Sequence, residues 1–291
     1  MVIDDRQRRA YAYCERVARS HYENFPVASL LLPATMRPHI AAIYAFARRA
    51  DDFADEPGIP DDERIRLLDD WGVRLHDSAG RAGDGDPDDL IFEALGTTMK
   101  ECALPMSLFE DLLSAFRQDV TTRRYQTWDD VLDYCRRSAN PVGRLVLRVA
   151  GAATPRLDAA SDAVCTALQL TNFWQDLGRD WNNGRLYVPT ADVNQGGARE
   201  ADLAARRMTP MWRAVLTSMI ERTRGLFDAG REVCDGVNGR LKWELRLTWL
   251  GGRRTLDKVE AARLTSFDAR PTLGAADVPA ILRDAILWTR T

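Results

Sequence analysis

The sequence predicts an all-α protein, and three observations carry that expectation. Apolar residues recur at intervals of three and four, as in Leu108, Leu112, Leu113, Phe116 and Val120. That is the period of a helix with one buried face. Alternation of the strand kind, closed by Asn-Gly or Asp-Gly hairpin turns, is scarce. Helix-start signals stand ahead of periodic stretches: Thr127-Trp-Asp-Asp130 reads as a capping box, and Pro38 suits the first turn of a helix.

In chain order, residues 5–20 are expected to form the first helix. A second runs over 37–56 and is stopped by Pro57-Gly58. Helices over 61–78, 89–102 and 106–121 follow, with the Gly- and Asp-rich stretch Asp77 to Asp89 as a loop. The capping box opens a helix reaching about Ala139, and Pro141 to Ala152 continue it across a kink. Residues 156–182 read as one long helix ended by Asn182-Asn-Gly184. After a loop to about 200 come helices near 209–235, 239–266 and 276–289. With no Pro/Ser-rich linker and no repeat, residues 1–291 are read as a single all-α domain; a boundary, if one exists, would fall near 183–200.

Composition narrows the function. The chain has 291 residues, enough for a sizeable core. Forty basic residues against 43 acidic ones leave a net charge of −3, which excludes a global field for nucleic acid. Three of the basic residues are lysine (Lys100, Lys242 and Lys258), so 37 are arginine. No apolar run approaches the ~20 residues of a membrane span. The segment Met1-Val-Ile-Asp-Asp5 lacks a basic stretch leading into an apolar one, so no secretory signal is expected. Five scattered cysteines without ligand spacing fit reduced thiols in a cytoplasm.

Two acidic helical stripes hold the chemistry. In the first, Tyr44, Arg48, Asp51 or Asp52, and Asp55 recur at helical spacing. In the second, Asn172, Asp176 and Asp180 stand at i, i+4 and i+8, with Gln169 a turn earlier. Like charges four apart cost a helix roughly 0.2–0.5 kcal/mol per pair. Repeating that in two helices calls for a compensating cation, and carboxylates with an amide oxygen suit Mg²⁺ beside a phosphate. Neither stripe contains Cys or His, which argues against zinc or copper. The alternative is a pair of solvated faces laced by ion pairs such as Asp52–Arg48 and Asp176–Arg179. By the same reasoning Arg123 and Arg124 are structural, within reach of Asp119 and Asp129.

These residues resemble the squalene/phytoene synthase family from about Ser20 to about Lys258. Asp51-Asp-Phe-Ala-Asp55 and Asp176-Leu-Gly-Arg-Asp180 are similar to its two aspartate-rich motifs. Tyr44, Arg48, Gln169 and Asn172 match the residues before those motifs, Arg124-Tyr-Gln-Thr127 through Tyr134-Cys135 and Val142-Gly143 its central signature, and Arg185-Leu-Tyr187-Val-Pro189 the stretch after the second. The resemblance implies a class I isoprenoid synthase fold with a central cavity. It also implies Asp51, Asp55, Asp176 and Asp180 as catalytic and, with Asn172, as Mg²⁺ ligands. Substrate contacts implied in the same way are His21, Tyr44, Arg48, Gln169, Asn172, Gln175, Arg185 and Tyr187, with Asn140 and Trp249.

Within the family, His21-Tyr-Glu-Asn-Phe-Pro26, Ser138-Ala-Asn140-Pro141-Val-Gly143 and Asn172-Phe-Trp-Gln-Asp176 are most similar to the hydroxysqualene synthases of bacterial hopanoid pathways. The same stretches depart from the wider family. Many relatives carry Gly-Thr in place of Asn140-Pro141, Arg in place of Gln175, and small hydroxyl residues where Tyr22 and Asn24 stand. These losses fit an enzyme with one diphosphate site.

The implied reaction takes presqualene diphosphate and water to hydroxysqualene and diphosphate. Apolar and aromatic walls (Phe25, Phe46, Phe173 and Trp174) would face the prenyl tails, and Asn140 and Gln175 are candidates for positioning the water. Asn140 as the cap of a helix break, and His21 as a structural residue, stay open beside those roles. The alternatives are head-to-head condensation of two prenyl diphosphates, such as farnesyl diphosphate, to presqualene diphosphate, squalene or phytoene, or a non-catalytic scaffold. No glycine fingerprint for a reductant follows a strand. The resemblance further implies coupling to a related synthase and a flavin oxidoreductase. A greasy product also implies peripheral contact with the inner membrane face, for which residues 5–20 and the C-terminal helix with Trp288 are candidates.

Overall fold

The computed structural model describes residues 5–20, 31–56, 58–77, 86–263 and 266–288. Among them the regular structure is helical, with one isolated bridge between Arg124 and Leu186. The helices are α1 (Asp5–Ser20), α2 (Arg37–Asp55), α3 (Asp61–Asp77), α4 (Pro87–Glu101), α5 (Met106–Thr121), α6 (Trp128–Ser138) and α7 (Asn140–Val149). They continue with α8 (Pro155–Gln175), α9 (Leu177–Asn182), α10 (Thr190–Gln195), α11 (Glu200–Ala204), α12 (Pro210–Gly230), α13 (Gly239–Arg263) and α14 (Val278–Leu287). Two 3-10 turns, Arg231–Cys234 and Ala275–Asp277, precede α13 and α14.

The caps behave as the sequence predicts. The Thr127 hydroxyl accepts from the Asp130 amide (3.2 Å), and the Asp130 carboxylate accepts from the Thr127 amide (2.8 Å). Helix α4 starts earlier than expected because the Asp86 carboxylate caps the Asp88 amide and Pro87 fits the first turn. Gly184 takes φ +76°, which lets the chain turn after the second motif. Three expectations are corrected. The long helix is divided at Asp176, α12 ends at Gly230 and tightens into the 3-10 turn, and the loop to 200 contains α10 with α11 after it. Helices of five or six residues are too short to show a period.

Contacts divide the chain into two compact units, residues 1–121 with 141–154, and residues 122–140 with 155–291. The 183–200 stretch lies wholly inside the second. In the first unit α2 packs on α1, α3, α4 and α5. Its buried face is mostly alanine (41, 42, 45, 50 and 54) around Phe46, which is fully buried against Trp71, Phe92 and Phe109. Small residues let neighbouring helices close in, and the single large ring anchors them. This packing directs the other face of α2, with the first acidic stripe, away from the core.

In the second unit α8 packs on α6, α12 and α13. Close crossings set this arrangement. A Cβ at Gly252 would lie 2.5 Å from Leu168, and one at Gly230 would lie 2.5 Å from the Ala160 carbonyl. None of the five cysteines forms a disulfide. Burial pushes Cys14, Cys135 and Cys234 up to about 12, so they are core residues without thiolate reactivity.

Candidate active site

The first stripe lies on α2, in the first unit. Arg48 lies between two carboxylates, with Nη2 at 2.6 Å from Asp52 and Nη1 at 3.4 Å from Asp51. The anticipated Asp52–Arg48 pair therefore forms, and Arg48 holds both acids at once. Asp51 and Asp52 are half-buried and Asp55 is exposed. Tyr44 is half-buried a turn before Arg48; burial raises its hydroxyl pKa, and Arg48 opposes that rise. Arg49 leaves the stripe to cover the Phe53 ring at 4.6 Å and to meet Asp88 at 3.3 Å.

The second stripe lies in the second unit, across the α8–α9 junction. Asp176 is the junction residue, at φ −93° and ψ 12°. Helical bonding nonetheless passes through it: the Asp176 amide donates to the Asn172 carbonyl and the Asp180 amide to the Asp176 carbonyl, both at 2.8 Å. The break therefore leaves Asn172, Asp176 and Asp180 in line. Asp176 is 8% exposed and takes a two-pronged contact from Arg270, whose Nη2 lies at 3.2 Å and whose Nε also donates. Burial first, and the charge of Asp176 second, push the Asp180 carboxyl up to about 7, against the pull of Arg185, Arg179 and Arg270. Two acids thus stand a turn apart, and burial more than the neighbouring charge makes one of them resist ionisation.

A buried arginine fixes the junction. Arg263, 2% exposed at the end of α13, donates to the carbonyls of Trp174 (2.9 Å), Gln175 (2.8 Å), Ser266 (3.3 Å) and Phe267 (2.6 Å). These include carbonyls that the end of α8 leaves without helical partners. Burial lowers Arg263 to about 10, with Asp176 and Asp268 opposing. The segment after α13 is thereby held against the motif. Gln175 Nε2 donates to the Pro271 carbonyl at 2.5 Å, and a Cβ at Gly178 would lie 3.1 Å from the Phe267 carbonyl. A cleft of about 540 Å³ opens there, lined by Gln175, Asp176, Arg179, Arg206, Asp268 and Arg270 among others.

A short pairing places the residues after the motif. The Leu186 amide donates to the Arg123 carbonyl (3.0 Å), and the amides of Thr190 and Ala191 to the carbonyls of Tyr125 and Gln126. Tyr187 is thereby set flat on Phe173, ring centres 3.6 Å apart, beside Tyr125 and Tyr134. Arg124 is structural, as expected, but its partner is corrected: it grips Glu200 through two 3.0 Å bonds and donates to the Gly184 carbonyl at 2.6 Å. Asp176 likewise pairs with Arg270 in place of the anticipated Arg179.

The other candidates are dispersed. Gln169 is half-buried a turn before the exposed Asn172, and Arg185 and Tyr187 are half-buried beyond the motif. The buried Asn140 side chain accepts through its Oδ1 from the Thr166 hydroxyl at 2.9 Å, a bond from the start of α7 to α8. Trp249 is buried among Phe227, Trp288, Arg231 and Arg253, and its Nε1 donates to the Phe227 carbonyl at 2.8 Å; no motif residue borders it through these contacts. His21 lies outside the described residues, as do Tyr22, Asn24 and Phe25. Sequence reasoning missed Arg263 and Arg270. Their partners at the α8–α9 junction are 88 to 94 residues away, and nothing distinguishes these two among 37 arginines.

Comparison with known proteins agrees with this arrangement. A sequence model of the squalene/phytoene synthase family matches residues 18–277. The chain is 39% identical to a hydroxysqualene synthase of Rhodopseudomonas palustris over 210 residues, 72% of this chain and 69% of that one. It is 31% identical to the chloroplastic phytoene synthase 1 of Arabidopsis thaliana over 271 residues, 91% of this chain and 63% of the plant protein. Among solved structures, the squalene synthase HpnC from Alicyclobacillus acidocaldarius is 40% identical with a TM-score of 0.84, covering 91% of this chain and 98% of that one. A dehydrosqualene synthase solved with a ligand has a TM-score of 0.85 at 23% identity, covering 97% of each, and shares the all-α isoprenoid synthase fold. On its motifs, its fold and the 18–277 match, the chain belongs to the squalene/phytoene synthase family.

Proposed function

We propose that this chain is a hydroxysqualene synthase, which ionises presqualene diphosphate, captures the rearranged cation with one water and releases diphosphate. The family is one of enzymes named for squalene and phytoene synthesis. The observation that carries the diphosphate chemistry is the Asp176–Asp180 pair, one buried and one half-buried carboxyl a helical turn apart, with the charge of Asp176 helping to raise Asp180. The narrower reaction rests on similarity to the Rhodopseudomonas palustris enzyme and on Asn140-Pro141 and Gln175.

The donor set fits Mg²⁺. Asp176, Asp180 and Asn172 offer oxygen alone, and since among the described residues no three His, Cys, Asp or Glu side chains gather into a metal site by themselves, the ion would need oxygens from the substrate as well. Mg²⁺ is commonly held by one or two carboxylates, with substrate phosphate oxygens completing its shell. Asn172, Asp176 and Asp180 of the second stripe, and separately Asp51 and Asp55 of the first, are the residues that would hold such ions, and when bound Mg²⁺ would neutralise the charge that develops on the leaving diphosphate.

The rest belongs to the chain's own residues. Arg48 and Arg185 donate charge-assisted hydrogen bonds to the diphosphate, and the hydroxyls of Tyr44 and Tyr187 orient it. Ionisation breaks the carbon–oxygen bond and leaves its electron pair on diphosphate. The stacked rings of Phe173 and Tyr187 exclude bulk water, and an aromatic face stabilises a nearby cation modestly. One water then forms the new carbon–oxygen bond and gives up a proton. Asn140 and Gln175 are the candidates for placing that water.

The test is substrate choice. Presqualene diphosphate with Mg²⁺ should give hydroxysqualene without NADPH, whereas farnesyl diphosphate alone should release little diphosphate. A brisk reaction with farnesyl diphosphate would instead support condensation, the second reading, which the long match to phytoene synthase favours.

A further inference from the structure

Helix α14 leaves its apolar side uncovered. Val278, Leu282, Ile286 and Leu287 are 49%, 48%, 68% and 61% exposed. With Pro279 they share half of the helix circumference, where Arg283 is the one charged residue. The other side packs on α13 through the buried Ala285. A surface helix ordinarily turns its polar side to water, so large aliphatics gathered on the outward side mark an interaction surface.

The surroundings identify what it meets. Beyond the end of α14, Arg246 lies over the Trp288 ring at 4.6 Å and the Trp243 ring at 5.7 Å, and Trp243 is 42% exposed. The acids at the rim are over-compensated. Asp277, before α14, is held by both Arg254 and Lys258, and Asp235 by both Arg246 and Lys242. The result is an apolar strip flanked by an exposed Trp and an excess of cations. A second copy docked face to face would bring like-charged rims together. Anionic headgroups over an acyl layer match both the strip and the rim.

We propose that the outward side of α14, with Trp243, is a membrane-docking face that lies in the headgroup–acyl boundary of a bilayer containing anionic lipid. It rests on the proposed function in one respect: a substrate and product that are largely hydrocarbon reside in such a bilayer. Interfacial helices of this kind are amphipathic and carry aromatic and basic residues at their edges.

The test is sedimentation of the full chain with vesicles of phosphatidylcholine, alone or with about one quarter phosphatidylglycerol, which supplies the anionic charge. Binding should be tighter to the anionic vesicles and weaken with salt. The double variant L282Q/I286Q should lose about tenfold or more of that binding, since two buried aliphatic side chains are removed from the acyl layer. Its circular dichroism and its turnover of presqualene diphosphate in detergent should match the parent, because both positions are exposed and outside the candidate site. Vesicle binding unchanged in the double variant would overturn the proposal. So would a concentration-dependent dimer that the variant dissociates while neither protein binds vesicles. Binding to vesicles by a chain inactive on presqualene diphosphate would support the face and count against the proposed reaction alone.

Discussion

Burial and the charge of Asp176 push the Asp180 carboxyl up to about 7, well above the ordinary carboxylate range. In metal-free protein this group is therefore protonated below neutrality. The stability linked to that proton is fully present at acid pH and is lost as pH rises through about 7. A divalent cation at the site must displace the proton. Mg²⁺ affinity should accordingly rise up to about tenfold per pH unit until about 7 and then level off. Calorimetry of Mg²⁺ binding at about pH 6, in buffers of different ionisation heat, should read proton release that is absent in Asp180→Asn. Equal heats in all buffers would contradict the assignment.

Glu244 is a second acid of this kind. It is buried on α13, its Oε2 reaches no partner among the described residues, and burial pushes it up to about 7. The sign is the same: the linked stability is present in acid and lost as pH rises through 7. Glu244→Gln should raise stability by about 1–2 kcal/mol near pH 8 and change little near pH 4. Urea midpoints at the two pH values check this. The stripes were legible at this scale because a helix converts spacing into alignment, so Arg48–Asp52 and the Asn172–Asp176–Asp180 line follow from residue spacing alone. Arg270 on Asp176 was not legible, because a pair 94 residues apart leaves no local pattern.

At the scale of elements, α8 illustrates both success and failure. Its start and the Asn182-Asn-Gly184 stop of the following α9 were readable, since Pro155 opens α8 and Gly184 turns the chain at φ +76°. Its division at Asp176 was not, because the bonds to Asn172 and from Asp180 keep the helical period intact across the break. Arg263 compensates the carbonyls freed there. Arg263→Met should cost about 3 kcal/mol, through several buried carbonyls left without donors. Arg263→Lys should recover little, because a single ammonium cannot reproduce the guanidinium fork. Urea denaturation monitored by circular dichroism measures both; a loss within about 0.5 kcal/mol would show that the clamp is dispensable.

Considered as a whole, the molecule owes its family to two short motifs carried by different compact units, residues 1–121 with 141–154 and residues 122–140 with 155–291. The all-α class was readable from periodicity alone, and the family from the motifs. The uncovered side of α14 was half-readable: its apolar residues were visible, but which of them face outward depends on where α13 packs. No helix of the described residues is long and apolar enough to cross a membrane. At this scale Asp176→Ala should leave the helical content intact and lower turnover by about a hundredfold or more, as loss of an electrostatic group at a site of developing charge does. Full activity would end the reading of this site.

The proposed reaction turns on one step, the capture of a single water by the cation left when diphosphate departs. Incubating the chain with presqualene diphosphate and Mg²⁺ in water enriched in heavy oxygen, without NADPH, and weighing the product by mass spectrometry probes that step. The expected product is hydroxysqualene carrying the solvent's heavy oxygen, lost when Mg²⁺ is chelated. An unlabelled alcohol, or no hydroxylated product under conditions that release diphosphate, would contradict it.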